Sequence, residues 1–225
     1  MFYLIPTKNG IGVQIWGTYD DLRTVYSIIG NFWNHEEYLN KSGFDNRDKL
    51  ISGFSYELRK AYEGSKLKRQ NSHFSYEKSE HFGCNISWVH FLFTLSSLRH
   101  NMIYLEANKL ELSIFLQLEY WLERSMLKYD EKGGHNLKNY ISGAIYGAND
   151  CIYQFMRTTN ANFFRLGGGK KSFRKLPELL KMSIYSTDEY KQYLFKLKKD
   201  AAHLNCQPED LEIEDSDIDY EKVKW

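Results

Sequence analysis

The pattern of apolar and polar residues at the start of the chain predicts a β-hairpin. Residues 2–5 form a continuous apolar run, and Val13 and Ile15 flank a polar glutamine further along. Asn9 and Gly10 lie between the two runs, and both residue types tolerate the positive φ that a tight two-residue turn requires. We therefore expect two antiparallel strands joined by a turn at these two residues.

Further strands are predicted within residues 66–82. This stretch lacks the period of a helix, and Phe74 and Tyr76 alternate with polar residues. One or two strands here would join the N-terminal hairpin in a small antiparallel sheet. Residues 35–40, which read HEEYLN, are expected to add a turn before the next helix.

Apolar residues recur every three or four positions along most of the remaining chain, which predicts a mostly helical body. The predicted helices span residues 18–30, 45–63, 86–105, 109–129, 139–157, 173–185 and 187–205. Thr18 and Asp21 form the pattern of a capping box at the start of the first helix. Gly133-Gly134 is expected to break the chain, and residues 166–172, LGGGKKS, to form a flexible loop.

These elements predict one α+β domain, in which a small N-terminal antiparallel sheet packs against a mostly helical body. A length of 225 residues suits one domain with a large core. The domain is predicted to cover residues 1–208. Residues 209–225 are predicted to form a separable acidic C-terminal tail, which we call the acidic tail.

The most apolar stretch, residues 86–105, is predicted to be a core helix. Charged residues follow too soon for it to supply the roughly 20 apolar residues that a membrane-spanning helix needs, so we expect no membrane segment. His90, Thr94, Ser97 and Asn101 fall on one narrow polar stripe. We interpret this stripe as the wet edge of a mostly buried helix. The alternative is that His90 faces a pocket and takes part in acid–base or ligand chemistry.

The next predicted helix, residues 109–129, is apolar on nearly all sides, which is typical of a buried central helix. Glu119 falls among its apolar positions, and a buried carboxylate needs a partner or a raised pKa. Candidate partners are Arg99, His90 and Lys128. We favour such a structural pairing. If this region is catalytic, the acid–base candidates are His90, Glu119 and Glu123.

Motifs for metal or phosphate chemistry are incomplete in this sequence. In residues 165–172, RLGGGKKS, a lysine follows Gly-Lys where a phosphate-binding loop requires serine or threonine, and the first glycine of that motif is missing. Residues 35–39, HEEYL, lack the second histidine of a zinc-protease motif, and no spacing of Cys and His matches a zinc site. We therefore predict no metal and no cofactor.

The three cysteines, Cys84, Cys151 and Cys206, are far apart and form no C-x-x-C pair. This spacing argues against a secreted disulfide framework and favours a reducing environment. The N-terminal residues also lack the basic start and cleavage site of a signal peptide. A cytoplasmic location is therefore expected.

Charge is unevenly distributed, although the net charge is only +1. Residues 209–225 hold eight acidic residues and two lysines, so the rest of the chain is net basic. Basic residues cluster around the glycine-rich stretch at Arg165, Lys170, Lys171, Arg174 and Lys175. Such a surface would attract a phosphate backbone. Lysines on amphipathic helices are more often a solvated face, and we favour that interpretation.

The acidic tail also carries apolar side chains, at Leu211, Ile213 and Ile218. These residues are candidate partner contacts, because they would anchor the tail if it becomes ordered on binding. Two alternatives remain open from the sequence. The tail docks on the basic surface of its own chain, or it contacts a basic partner.

Several short fragments resemble a family of small bacterial proteins, a domain of unknown function. The fragments are Gly12-Val13, Gly17-x-Tyr19-x-Asp21-Leu22 with Tyr26, Ala61-Tyr62-x-Gly64, Trp88 before Phe91 and Leu92, Leu118-Glu119-Tyr120 with Glu123, and Leu127-x-Tyr129-Asp130. The resemblance covers about the first 130 residues and not the acidic tail. It implies a bacterial cytoplasmic protein with a small sheet beside helices, and it carries over no activity.

The predicted function is that of a non-catalytic binding or accessory protein in a bacterial cytoplasmic complex. Its partner is expected to be another protein, with the acidic tail as a contact element. Two alternatives come from the other features of the sequence. One is a nucleic-acid-binding protein that uses the basic surface, and the other is an enzyme with acid–base residues in the central helices.

Overall fold

A computed structural model describes residues 1–35, 43–71 and 79–225 of the chain. Within these ranges, eight α-helices and one four-stranded antiparallel sheet form the fold. The α+β class predicted from the sequence is therefore confirmed. Most of the turn expected at 35–40, and the alternation at Phe74 and Tyr76, lie outside the described residues.

The sheet has the strand order β1-β2-β4-β3. The strands are β1 (Tyr3–Pro6), β2 (Gly12–Gly17), β3 (Leu67–Asn71) and β4 (Ser79–Ser87). Ile15 of β2 lies opposite Leu4 of β1 on one side and Cys84 of β4 on the other, and all three side chains are buried. This apolar row fixes the register, because a shift of one residue would turn the row to the other face of the sheet.

The hairpin between β1 and β2 is confirmed, but its turn is longer than predicted. A loop of residues 7–11 joins the strands in place of a two-residue turn at Asn9-Gly10. The Thr7 hydroxyl accepts hydrogen bonds from the backbone amides of Ile11 and Gly12, each at 3.1 Å. This side-chain contact satisfies the loop backbone, and only Gly10 needs a positive φ, of 65°.

The helical body comprises eight α-helices within the described residues. They are α1 (Tyr19–Gly30), α2 (Phe44–Tyr62), α3 (Trp88–Asn101), α4 (Lys109–Tyr129), α5 (Glu131–Asn139), α6 (Ile152–Arg165), α7 (Gly169–Leu180) and α8 (Asp188–Leu204). The capping box predicted at Thr18 and Asp21 is present at the start of α1. Short 3₁₀ turns occur at Lys181–Ser183, Pro208–Asp210 and Tyr220–Lys222.

The predicted break at Gly133-Gly134 is wrong, because both glycines lie inside α5. A methyl group at Gly134 would lie 2.8 Å from the backbone nitrogen of Leu127, and one at Gly133 would lie 2.7 Å from the Phe173 ring. The glycines therefore allow α5 to approach α4 and α7 closely. A glycine pair has the same appearance in sequence whether it breaks a helix or provides space for packing.

Two other predicted elements are also corrected. The helix predicted at 139–157 is divided into a π turn at Tyr140–Ala144 and the later start of α6, and Gly143 interrupts it with a φ of 109°. The flexible loop predicted at 166–172 is mostly helix, because α7 begins at Gly169.

Helix α3 is the buried centre of the body, and the prediction that its polar stripe is a wet edge is wrong. Thr94, Ser97 and Asn101 are completely buried. Helix α4, predicted as the central helix, instead lies at the surface. Its leucines at 110, 112 and 116 and its Tyr120 are exposed, while Leu118 and Leu122 face the core. The periodicity of one helix does not show that a second layer of structure covers its polar side.

A buried arginine connects that polar side of α3 to α2. Arg47 of α2 is 1% exposed, and its Nε donates to Asn101 Oδ1 at 2.9 Å. Asn101 in turn donates to the Phe32 carbonyl at 2.8 Å, and Arg47 donates to the Gly147 carbonyl at 3.2 Å. A charge removed from water needs such partners. The network therefore fixes α2, α3 and the segment before α6 relative to one another.

We expect Asn101→Ala to lower the free energy of unfolding by about 3 kcal/mol, because it leaves Arg47 and the Phe32 carbonyl buried with one fewer partner each. Urea denaturation monitored by circular dichroism measures this change. Asn136→Ala, on the exposed face of α5, is the matched control and should have little effect. Equal midpoint shifts for the two variants would contradict the role given to Asn101.

Candidate functional site

The three predicted acid–base residues lie in different surroundings. Glu119 pairs with Arg99, one of its three predicted candidate partners, and burial raises the pKa of Glu119 although Arg99 opposes this shift. Glu123 pairs with Lys138 of α5 at 2.7 Å. His90 lines a separate cavity. Neither Glu119 nor Glu123 is among the described residues that line this cavity. The structure therefore does not bring these residues together as one acid–base site.

The basic residues around the glycine-rich stretch are only partly free to bind a phosphate backbone. Arg174 donates twice to the Asp130 carboxylate, at 2.7 and 2.8 Å, and Arg165 donates twice to Asp217, at 2.8 and 2.9 Å. Lys170, Lys171 and Lys175 are exposed on α7. Two of the five predicted cations are thus already paired with carboxylates, which weakens the case for a nucleic-acid interface.

The acidic tail docks on its own chain, along one face of α6. The Gln154 amide donates to the carbonyls of Glu209 and Leu211, at 2.5 and 3.3 Å. One helical turn later, Arg157 binds the Asp215 carboxylate, and two turns further Arg165 binds Asp217. The spacing of these three side chains places them on the same side of a helix. Of the two alternatives left open by the sequence, the structure shows docking in cis.

Apolar contacts accompany these polar ones. Leu211 is 8% exposed and belongs to the core, and Ile213 packs against the core while partly exposed. Near the end of α6, the Phe164 ring meets the rings of Tyr220 and Trp225 edge to face, at centroid distances of 5.4 and 6.1 Å. Ile218, the third apolar anchor predicted in the tail, is partly buried. The anchors therefore hold the tail on its own domain.

The tail and α8 together border a groove of about 920 Å³, which we call the α8 groove. Its apolar lining residues are Ala161, Leu179, Met182, Leu197, Leu204, Leu211 and Ile213. Its carboxylate residues are Glu178, Glu189, Asp200, Glu212 and Glu214, and its permanent cations are Arg165 and Lys196. The groove thus combines an apolar floor with an excess of negative charge. Leu211 and Ile213 were predicted from the sequence as contact residues, but the groove was not.

One polar contact stabilises the wall of the α8 groove. The hydroxyls of Thr158 and Tyr193 lie 2.5 Å apart, so α6 and α8 are joined at this point. Burial raises the pKa of Tyr193 to about 12, and the phenol is therefore neutral near pH 7. Since neither group is charged, the acidic character of the groove comes from its carboxylates.

A protein-family model described as a domain of unknown function (DUF6904) matches residues 2–225. The chain therefore belongs to this family, and the match includes the acidic tail. No curated protein and no solved structure matches the chain.

Residues 1–35, 43–71 and 79–225 contain no group of three or more His, Cys, Asp or Glu side chains placed to hold a metal ion. In the same ranges, none of the helices has both the length and the apolar character needed to cross a membrane.

Because the tail buries Leu211 and accepts two hydrogen bonds from the Gln154 amide nitrogen, we expect a chain ending at Pro208 to fold but to lose about 2 kcal/mol of unfolding free energy. Circular dichroism establishes the folding of the fragment, and urea denaturation measures the loss. Leu211→Ser in the full chain should reproduce most of it, whereas Leu110→Ser, at an exposed position, should be nearly neutral. Unchanged stability of the fragment would contradict the docking of the tail, and an unfolded fragment would contradict the boundary at residue 208.

Asp130 should contribute stability that depends on pH. Two hydrogen bonds from Arg174 and one from the Gly133 amide lower the pKa of this buried carboxyl to about 2. A lowered folded-state pKa means that the contribution is complete above about pH 5 and is lost as the pH falls toward 2.

We expect Asp130→Asn to cost about 1–2 kcal/mol at pH 7, since half-exposed Arg174 lets water screen the pair. The difference from the wild type should disappear near pH 2. Urea titrations at several pH values measure it, with Asp188→Asn, a highly exposed site, as the control. A difference that does not change with pH would show that the ion pair is not its source.

Proposed function

We propose that this member of the DUF6904 family is a non-catalytic binding protein whose α8 groove holds a basic, amphipathic segment of a partner protein. The observation that carries this proposal is the combination of an apolar floor with an acidic rim in the α8 groove. An amphipathic helix binds such a groove by placing its apolar face on the floor and its charged flanks at the rim.

The apolar part of the α8 groove offers area for such a contact. Leu204 is 65% exposed at the end of α8, and the partly exposed Leu179, Met182 and Ile213 line the groove with it. A contiguous apolar patch rimmed by polar residues is typical of an interaction surface. Single exposed leucines are common on protein surfaces and would not indicate an interaction surface.

The charges decide which kind of partner the α8 groove favours. Five carboxylates line it, and Arg165, one of its two cations, is already paired with Asp217 outside the groove lining. An acidic segment would be repelled by this surface, whereas lysine or arginine side chains flanking an apolar stripe would be attracted. The partner segment is therefore basic.

The setting proposed for this binding is a bacterial cytoplasm. The free thiols support it, because Cys84 and Cys151 are buried without a disulfide and Cys206 is exposed as a free thiol. Burial raises the pKa of Cys84 and Cys151, the latter to about 12, so both are inert core residues. Exposed Cys206 would be kept reduced in such a compartment.

The test uses a synthetic amphipathic helix with leucines at helical spacing and lysines elsewhere, and calorimetry measures its binding to the full chain. The double variant Glu212→Lys/Glu214→Lys, at exposed rim positions, should bind it about tenfold more weakly. Leu204→Ser should also weaken binding without a loss of stability, because Leu204 is exposed.

Two controls separate this proposal from nonspecific attraction. Glu106→Lys changes an exposed charge outside the groove and should leave peptide affinity nearly unchanged. A peptide with the same leucines but glutamates in place of lysines should bind poorly. Equal binding of both peptides, or retention on a phosphate resin without peptide binding, would overturn the proposal, and the second result would favour the surface of Lys170, Lys171 and Lys175.

A further inference from the structure

A second cavity, of about 800 Å³, shares no lining residue with the α8 groove. It is formed where β4 leads into α3, and we call it the His90 cavity. Helices α2 and α6 form two of its walls, and Tyr220 and Trp225 of the acidic tail line a third. The junction of β4 and α3 supplies Asn85, Ser87 and His90.

The polar groups of this junction leave hydrogen-bonding capacity unused. The Ser87 hydroxyl donates to Asn160 Oδ1 at 2.7 Å, and this leaves the Asn160 amide nitrogen as a donor. Asn85 Oδ1 is buried and has no hydrogen-bond partner within the described part of the chain. Buried acceptors are seldom left unpaired, so Asn85 requires an explanation.

His90 supplies a second acceptor. Its Nε2 lies 3.3 Å from the Leu50 carbonyl, and a carbonyl only accepts, so Nε2 carries the proton. Burial lowers the pKa of His90, which keeps the ring neutral near pH 7 and leaves Nδ1 as an acceptor. Three residues that line the His90 cavity, Asn85, His90 and Asn160, therefore supply two acceptors and one amide donor.

The remaining described lining combines aromatic rings, the aliphatic side chains of Leu67 and Ile86, and one ion pair. Glu57 and Lys66 are the charged residues of the described lining, and their side chains pair at 3.0 Å. Tyr56, Phe164, Tyr220 and Trp225 supply the rings. Paired charges give little attraction for a free anion or cation, whereas aromatic rings favour a flat, neutral molecule.

We propose that the His90 cavity binds a planar, neutral nitrogen heterocycle of the nucleobase class. N–H groups on the edge of such a ring donate to Asn85 Oδ1 and His90 Nδ1, and a ring acceptor receives the Asn160 amide. The flat faces of the ring pack against the aromatic side chains. This assignment gives the unpaired Asn85 oxygen a partner and uses the neutral state of His90.

The test measures binding of adenosine, guanosine, cytidine and uridine to the full chain by calorimetry and by the shift of the melting temperature. At least one of these nucleosides should bind saturably to the wild type. Asn85→Leu should weaken that binding about tenfold through the loss of one hydrogen bond. The same variant should melt at an equal or higher temperature without ligand, because it removes a buried acceptor that has no partner.

This opposite effect on stability and binding separates a ligand site from a structural role. His90→Phe keeps a ring at the position, removes the Nδ1 acceptor and should also weaken binding about tenfold, whereas His135→Phe, on the exposed face of α5, should not change it. The proposal is overturned if none of the four nucleosides binds the wild type. It is also overturned if Asn85→Leu and His90→Phe bind as tightly as the wild type.

Discussion

The contact between α6 and the acidic tail is the interaction on which both proposed sites depend. Gln154, Arg157 and Arg165 point along one face of α6 and bind successive parts of the tail. The α8 groove takes one wall from residues 211–214, and the His90 cavity takes another from Tyr220 and Trp225. A tail released from α6 would remove both walls. Asp215 and Asp217 of the tail therefore form ion pairs within the fold, with Arg157 and Arg165.

Much of the fold was predictable because local rules and tertiary packing agree. The hairpin, the capping box at Thr18 and the bounds of α4 follow from alternation, capping and helical period. The errors occur where tertiary packing, and not the local sequence, determines the structure. Gly133 and Gly134 make room for neighbouring helices, and the polar stripe of α3 meets buried Arg47 instead of water. Periodicity identifies a polar face, but it does not identify what covers that face.

The candidate sites were less predictable for the same reason. Composition marked the acidic tail and its apolar anchors Leu211 and Ile213, yet the α8 groove depends on the approach of α7 and α8, which no local pattern encodes. His90 was identified as a residue that faces a pocket or an edge. Its neighbours Asn85 and Asn160 carried no signal, because isolated asparagines in a strand and a helix are common on surfaces. Glu119 and Glu123 had the stronger sequence signal for chemistry, and each pairs with a cation.

The most direct test of the account is amide hydrogen exchange across residues 209–218 in the full chain. If the tail is docked, the amides of Leu211 and Ile218, which donate to Pro208 and Asp215, should exchange more slowly than in an unstructured peptide. Arg157→Gln/Arg165→Gln should accelerate exchange in the tail and leave α3 protected. Exchange at the rate of an unstructured peptide in the wild type would contradict the account, since neither cavity would then have the wall that the tail supplies.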